Sequence, residues 1–182
     1  MRIFAALPLP PPAVAALSTL RLRLANPGDG LRWTPQEQWH LTLHFFGDLD
    51  ASAVDSVKAA LSQVQHSPVP LRLEHLGQFS NKGLLYASID PSEALSSLQQ
   101  AVLECAGPPA ETPASRPFHP HITLARSRNR TGPRTLARLS TPEWPRLGPV
   151  IWTAPAVHLF ESVLGPEGAE YTLLTVVPLQ AA

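Results

Sequence analysis

Two short stretches of the chain place a histidine two residues before a threonine, with aliphatic residues between and after them. The first pair is His40 and Thr42, and the second, about 80 residues later, is His121 and Thr123. Successive side chains of a β-strand point to opposite faces, so each pair would share one face while the aliphatic residues share the other. The pattern therefore predicts two strands that each present an imidazole beside a hydroxyl, above an apolar face that anchors a core.

Two imidazoles on separate strands suit acid and base catalysis across a cleft. An ordinary histidine pKa near 6.5 allows one ring to be neutral while the other is protonated around neutral pH. A single such strand is more often half solvated without a catalytic role, whereas two copies favour corresponding strands of two related lobes. His44 and His119 would share the polar faces and could suggest zinc ligands, but His40 and His44 would be about 13 Å apart along a strand. We therefore expect no metal site.

The two motifs together resemble the two-histidine phosphoesterase superfamily, and more closely its bacterial RNA 2′,3′-cyclic phosphodiesterases, also known as 2′-5′ RNA ligases. The resemblance extends over almost the whole chain, to residues 2–8, residues 32–35, Arg126 and residues 159–171. It implies an α+β fold of two pseudo-symmetric, β-rich lobes with outer helices, in which each lobe presents one motif strand to a central cleft. Residues 1–182 would form one such two-lobed domain.

The activity that the resemblance implies is metal-independent hydrolysis of RNA 2′,3′-cyclic phosphodiester ends to 2′-phosphomonoesters. It makes His40 the proton donor and His121 the proton acceptor, an assignment that the symmetric sequence alone does not decide. Thr42, Thr123 and Arg126 are the candidates for contacts with the phosphate, and no cofactor is required. The same groups could run in reverse and join ends through 2′-5′ linkages. The alternative from another class is a non-catalytic RNA-end or nucleotide-binding module on the same fold.

The position of Arg126 conflicts with a regular strand. Three residues beyond Thr123, its side chain would point to the face opposite His121. Contact with a phosphate in the cleft therefore requires the strand to end or bulge at about Ala125, or Arg126 to act from the rim.

Two aromatic residues on predicted strands, Phe4 and Trp152, are candidates for stacking on a nucleobase. Aromatic faces hold single-stranded bases with little regard to their sequence, although packing in a core is the commoner fate of such residues.

The composition limits the class of protein. Of 182 residues, 44% are hydrophobic and 15% charged, which is a globular composition. With 14 basic and 14 acidic residues there is no excess positive charge to hold long nucleic acid, so contacts should be local, to RNA ends or short oligonucleotides carrying a 2′,3′-cyclic phosphate. The single cysteine, Cys105, fits a reducing cytoplasm. We expect a cytoplasmic protein, and the sequence implies neither a membrane segment nor a protein partner.

The predicted elements alternate between strands and helices. Strands are expected near residues 3–9, 38–46, 69–79, 84–89, 118–126, 150–162 and 171–177. Helices are expected near residues 10–24, 52–64, 92–103 and 133–139, with caps at Asp50 or Ser52 and at Ser92. The proline-rich residues 107–117 are the predicted boundary between the lobes.

Overall fold

The computed structural model describes residues 1–106, 117–139, 149–165 and 168–180. The strands in these ranges are β1 (Arg2–Pro8), β2 (Leu31–Trp33), β3 (His40–Asp48), β4 (Val69–Phe79), β5 (Leu84–Ile89), β6 (His121–Ser127), β7 (Ile151–Ala154), β8 (Ala156–Gly165) and β9 (Gly168–Pro178). The α-helices are α1 (Pro11–Leu24), α2 (Ala51–Leu61), α3 (Glu93–Ala106) and α4 (Gly132–Leu139). The proline-rich boundary predicted between the lobes lies almost wholly outside the described residues.

All nine described strands belong to one antiparallel sheet, in the order β7-β4-β5-β6-β3-β1-β8-β9, with β2 paired to β6. The sheet divides into a first lobe, β3-β1-β8-β9, and a second lobe, β6-β5-β4-β7. The two meet where Leu41 of β3 pairs with Ile122 of β6. Each lobe therefore places its motif strand innermost, which confirms the predicted α+β fold with two pseudo-symmetric lobes.

The helices begin where the sequence predicts. Helix α1 starts with Pro11, whose fixed φ suits the first helical turn. The Asp50 carboxylate accepts a hydrogen bond of 2.8 Å from the Ala53 amide at the start of α2, and the Ser92 hydroxyl accepts one of 3.1 Å from the Leu95 amide in α3. No helix in the described part of the chain is long and apolar enough to cross a membrane.

The core lies between the helices and one face of the sheet. It combines the apolar sides of the motif strands with the buried stripes of the helices. Its fully buried members include Ile3, Leu7, Leu17, Leu41, Leu61, Leu98 and Ile122. With this face covered, the polar side of the motif strands is left for a cleft.

The prediction of one strand over residues 150–162 is wrong. Pro155 separates β7 from β8, and the two strands pair in different lobes, β7 with β4 and β8 with β1. Proline has no amide hydrogen for a strand ladder, so it suits the point where the chain leaves one lobe for the other. The first motif strand also begins later than predicted, at His40, because Gln36–Gln38 form a 3-10 turn.

Each motif strand carries a β-bulge just after its threonine. In β6, Thr123 and Ala125 face consecutive residues of β5, so Leu124 is an extra residue without a partner there. In β3, the register against β1 shifts in the same way after Thr42. The bulges reverse the alternation of faces. In each strand two successive residues turn to the core and the next one, Phe45 or Arg126, returns to the cleft side.

Gly77 provides a test of how closely the second lobe is packed. It pairs with Tyr86, and a Cβ at Gly77 would overlap the tyrosine ring. We expect Gly77→Ala to lower the free energy of unfolding by about 1 to 3 kcal/mol, because the buried ring must move. In a Tyr86→Ala background the same substitution should cost much less. Urea unfolding of the four proteins measures this, and an equal cost in both backgrounds would contradict the overlap.

Candidate active site

The site lies on the cleft side of the sheet, at the seam between the lobes. The pairing of Leu41 with Ile122 fixes the register of the two motif strands. Extended by one residue in each direction, that register puts each histidine opposite the threonine of the other strand. The four side chains that it gathers are His40, Thr42, His121 and Thr123. All four are partly exposed, so the cleft is open to solvent.

Both histidine rings are held by the same kind of hydrogen bond. Nδ1 of His40 lies 2.7 Å from the carbonyl oxygen of Gln38, and Nδ1 of His121 lies 2.7 Å from that of His119. A carbonyl oxygen only accepts, so Nδ1 carries a hydrogen in each ring. Nε2 is therefore the nitrogen that gains or loses a proton in both rings, as a base or an acid requires.

Aromatic rings surround His40. The Phe4 ring lies 4.9 Å from the imidazole, and Tyr171 meets it edge-on at 5.4 Å. Gln38, whose carbonyl holds the imidazole, donates a hydrogen bond of 2.6 Å from its side chain to the carbonyl oxygen of Ala169. His40 is thus supported by β1, by β9 and by the 3-10 turn before β3, and it is shielded from water on one side.

His121 has a matching environment in the second lobe. Phe79 and Tyr86 meet its ring edge-on at 5.3 and 5.4 Å. The Tyr86 hydroxyl is hydrogen-bonded to Nε2 of His119 at 3.1 Å. Lys82 lies over the Phe79 ring, with its Nζ 5.6 Å from the ring centroid, which puts a cation on the rim beside His121.

Burial lowers the pKa of both catalytic candidates. It brings the pKa of His40 to about 4, with a smaller effect in the same direction from the charge of His121 and an opposing one from the bond to Gln38. The pKa of His121 is also lowered, first by burial and then by the charges of His119, Lys82 and Arg126. Both rings are therefore neutral in the free protein at pH 7. A bound anion would favour the protonated form of either one.

The bulge in β6 settles the direction of Arg126. Leu124 and Ala125 are both buried and Arg126 is exposed, so Arg126 shares the cleft side with Thr123 rather than pointing away. Its charge lowers the pKa of His121 and opposes the raising of the Tyr171 pKa by burial. The charge of Arg126 therefore acts on titratable groups of both lobes.

Comparison with known proteins shows the family of the chain. The sequence model of the 2′-5′ RNA ligase superfamily matches residues 9–164. The chain belongs to that superfamily. An RNA 2′,3′-cyclic phosphodiesterase of Thermus thermophilus is 33% identical over 184 residues, with 96% of this chain and 88% of the relative covered. One of Escherichia coli is 27% identical over 101 residues, with 55% of this chain and 57% of the relative covered.

Two solved structures share the whole fold of this chain. The crystal structure of TT0787 of Thermus thermophilus matches with a TM-score of 0.81 at 29% identity, covering 100% of this chain and 99% of that one. Escherichia coli LigT complexed with 3′-AMP matches with a TM-score of 0.82 at 23% identity, covering 98% and 97%. The second likeness bears on the fold alone.

The two aromatic candidates are not placed for stacking on a base in this superfamily member. Phe4 is only 1% exposed, because its ring is enclosed by Phe45, Phe160 and Tyr171. Trp152 lies on β7, three strands away from β6, roughly 14 Å at 4.8 Å per strand. An exposed aromatic side chain that does lie beside the site is Phe45, which is 54% exposed and lies 5.7 Å from Phe4.

His44 also departs from the sequence prediction. The bulge after Thr42 turns it away from the face of His40, and it is 8% exposed with its ring 4.7 Å from Phe46. His44 is therefore a packing residue. The described residues contain no group of three or more His, Cys, Asp or Glu side chains that could hold a metal ion.

Sequence reasoning missed the aromatic walls and the second arginine of the cleft. These residues are Arg32, Phe79, Tyr86, Phe160 and Tyr171. They stand on strands that reach the motif histidines through long-range pairing, so no local spacing identifies them. The available signal was the run 32–35 before the first motif, which brings Arg32 to β6.

The low pKa of His40 predicts how stability depends on pH. The unfolded chain, with a histidine pKa near 6.5, binds a proton before the folded protein does, so stability present above pH 6.5 is lost as the pH falls toward 4. Between pH 7.5 and 4.5 we expect the wild type to lose about 2 to 3 kcal/mol more than His40→Gln. Urea unfolding at the two values measures the difference.

The matched control is His66→Gln, which removes an imidazole outside the cleft. The account would be contradicted if His40→Gln lost as much stability as the wild type between pH 7.5 and 4.5. That result would show that burial does not disfavour the protonated form of His40.

Proposed function

We propose that this protein hydrolyses the 2′,3′-cyclic phosphodiester at RNA ends and leaves a 2′-phosphomonoester, with residues 1–182 acting as one two-lobed domain. The observation that carries the proposal is the pair of imidazoles, each fixed through Nδ1 and supplied by a different lobe to one cleft. Relatives from four organisms that carry the name RNA 2′,3′-cyclic phosphodiesterase support the substrate.

Hydrolysis needs one base and one acid. A water oxygen attacks the phosphorus while Nε2 of His121 takes a proton from that water. The bond between phosphorus and the ribose 3′ oxygen breaks, and Nε2 of His40 gives its proton to the departing oxygen. The products are a 2′-phosphate and a 3′-hydroxyl, and proton exchange with solvent restores both rings. Transfers of this kind contribute about 10²- to 10⁴-fold each.

The remaining polar groups stabilise charge on the phosphate. The hydroxyls of Thr42 and Thr123 would donate hydrogen bonds to the non-bridging oxygens, since they alternate with the histidines around the seam. Arg126, brought to the same side by the bulge, would counter the negative charge that grows in the transition state. These donors are fixed by strands before the substrate arrives.

The charges around the two rings support the assignment of roles. Lys82 and Arg126 both disfavour a protonated His121, which suits a base. The pKa of His40 is low chiefly through burial, and an anionic phosphate in the cleft opposes that effect. Binding of the substrate would therefore draw a proton onto His40 and prepare it as the acid.

Substitution of either histidine tests the proposal. We expect His40→Ala and His121→Ala each to lower kcat on a cyclic-phosphate oligonucleotide by at least about 10²-fold, because each removes one proton transfer. His66→Gln is the control outside the cleft. The assay follows ring opening by chromatography in the presence of a chelator.

Near-normal turnover of either alanine variant would contradict the roles of the histidines. Binding of the oligonucleotide by the wild type without ring opening would support a binding module instead, and 2′-5′ joined products would support ligation.

The lowered pKa values of His40 and His121 predict how the activity depends on pH. The profile of kcat/KM reports groups of the free enzyme, so we expect a maximum on the acid side of pH 6.5 and a fall of about tenfold per unit well above it. The profile of kcat reports the complex, in which the bound anion raises the pKa of the acid, so its alkaline limb should lie at higher pH. Steady-state kinetics from pH 4.5 to 8.5 measure both. A kcat/KM that still rises through pH 7 would contradict the lowered values.

A further inference from the structure

Arg32 and Arg126 form a pair of cations on the cleft side of the second lobe. They are directly opposite each other in the pairing of β2 with β6, so their side chains leave the same face of the sheet. The bulge before Arg126 makes that face the cleft side. Two like charges in this arrangement repel each other unless an anion lies between or beside them.

The protein supplies no such anion within the described residues. No described carboxylate lies within salt-bridge distance of either guanidinium, and both arginines are exposed. Both charges nevertheless act on Tyr171 of the first lobe, and the Arg32 guanidinium lies beside Gly168 at the start of β9. The pair therefore lies at the edge of β6 that faces the first lobe.

The backbone that carries Arg32 is fixed on both sides by Asp29. The Asp29 carboxylate accepts hydrogen bonds of 2.8 Å from the Leu31 amide and 2.9 Å from Nε1 of Trp33. The Thr135 hydroxyl donates one of 2.6 Å to the Asp29 carbonyl. Asp29 is 9% exposed, and its carboxylate accepts hydrogen bonds from β2 on both sides of Arg32. It therefore fixes the backbone of Arg32 without neutralising the guanidinium.

Arg32 serves a position apart from that of the reacting phosphate. Arg126 lies five residues beyond His121 on the same strand, and Arg32 lies directly opposite Arg126, on the edge of β6 that also pairs with β3. The charge of Arg126 acts on His121, whereas the Arg32 guanidinium lies beside Gly168 of β9 and offers a second cationic position along the cleft. Paired guanidinium groups suit phosphate oxygens, which accept two parallel hydrogen bonds from one arginine.

We propose that Arg32 binds a second phosphate of the substrate, the phosphodiester on the 5′ side of the terminal nucleoside, while Arg126 serves the reacting phosphate. The inference rests on the proposed function and narrows its substrate to the end of an RNA chain rather than a cyclic mononucleotide. Arg32 is then a positioning and specificity residue, because it holds the RNA chain so that the cyclic phosphate lies between the histidines.

The test compares two dinucleotides that end in a 2′,3′-cyclic phosphate. One has an ordinary phosphodiester between its nucleosides, and the other has a neutral methylphosphonate there. Both carry a 2′-O-methyl group on the 5′ nucleoside. We expect the wild-type kcat/KM to be roughly 10- to 100-fold higher for the charged dinucleotide, the range for hydrogen bonds to a charged group.

Arg32→Gln should reduce this ratio toward one, because the variant no longer distinguishes the charged linkage from the neutral one. Arg23→Gln, which removes an exposed arginine in the last turn of α1, should keep the wild-type ratio. The comparison of linkages in the wild type does not depend on how well any variant folds.

The outcomes separate this inference from the proposed function. Opening of both dinucleotides by the wild type at equal kcat/KM would overturn the second phosphate site and leave the activity in place. A ratio that Arg32→Gln leaves unchanged would do the same. Failure of the wild type to open either dinucleotide would instead count against the proposed function, and with it this inference.

Discussion

The pairing of Leu41 with Ile122 is the constraint on which the site depends. It is the point where the two lobes join into one sheet, and it fixes the relative positions of the motif strands. With both aliphatic side chains turned into the core, the neighbouring imidazoles and hydroxyls are committed to the other face. The catalytic candidates are thus held together by backbone pairing, before any contact with a substrate.

The environment of the histidines follows from the same arrangement. Each lobe adds aromatic rings beside its own histidine, so that burial lowers the pKa of both imidazoles. Each ring donates through Nδ1 to a carbonyl two residues earlier in the chain. The similarity stops at the bulges, where the second lobe presents Arg126 and the first presents Phe45. One wall of the cleft is therefore cationic and the other apolar, which gives an otherwise symmetric site a direction.

Much of the fold and the centre of the site could be predicted from the sequence. Alternation along a strand was sufficient to place His40 with Thr42, and His121 with Thr123, because no bulge intervenes within either pair. The same rule failed for His44, because an extra residue reverses the faces and local sequence does not reveal the register of a distant strand. For Arg126, regular alternation predicts the face opposite His121, and the bulge at Leu124 brings the side chain to the cleft side instead. The change of lobe at Pro155 and the aromatic walls also depend on long-range pairing, which is why they were missed.

The central claim is that both imidazoles face one phosphate position. Nitrogen NMR of the histidine rings during a titration with a nucleoside 2′-monophosphate, the product of the proposed reaction, tests it most directly. The account predicts that His40 and His121 both keep hydrogen on Nδ1, respond with a single dissociation constant, and show raised pKa values in the complex. A response confined to one of the two rings, or two different dissociation constants, would contradict it.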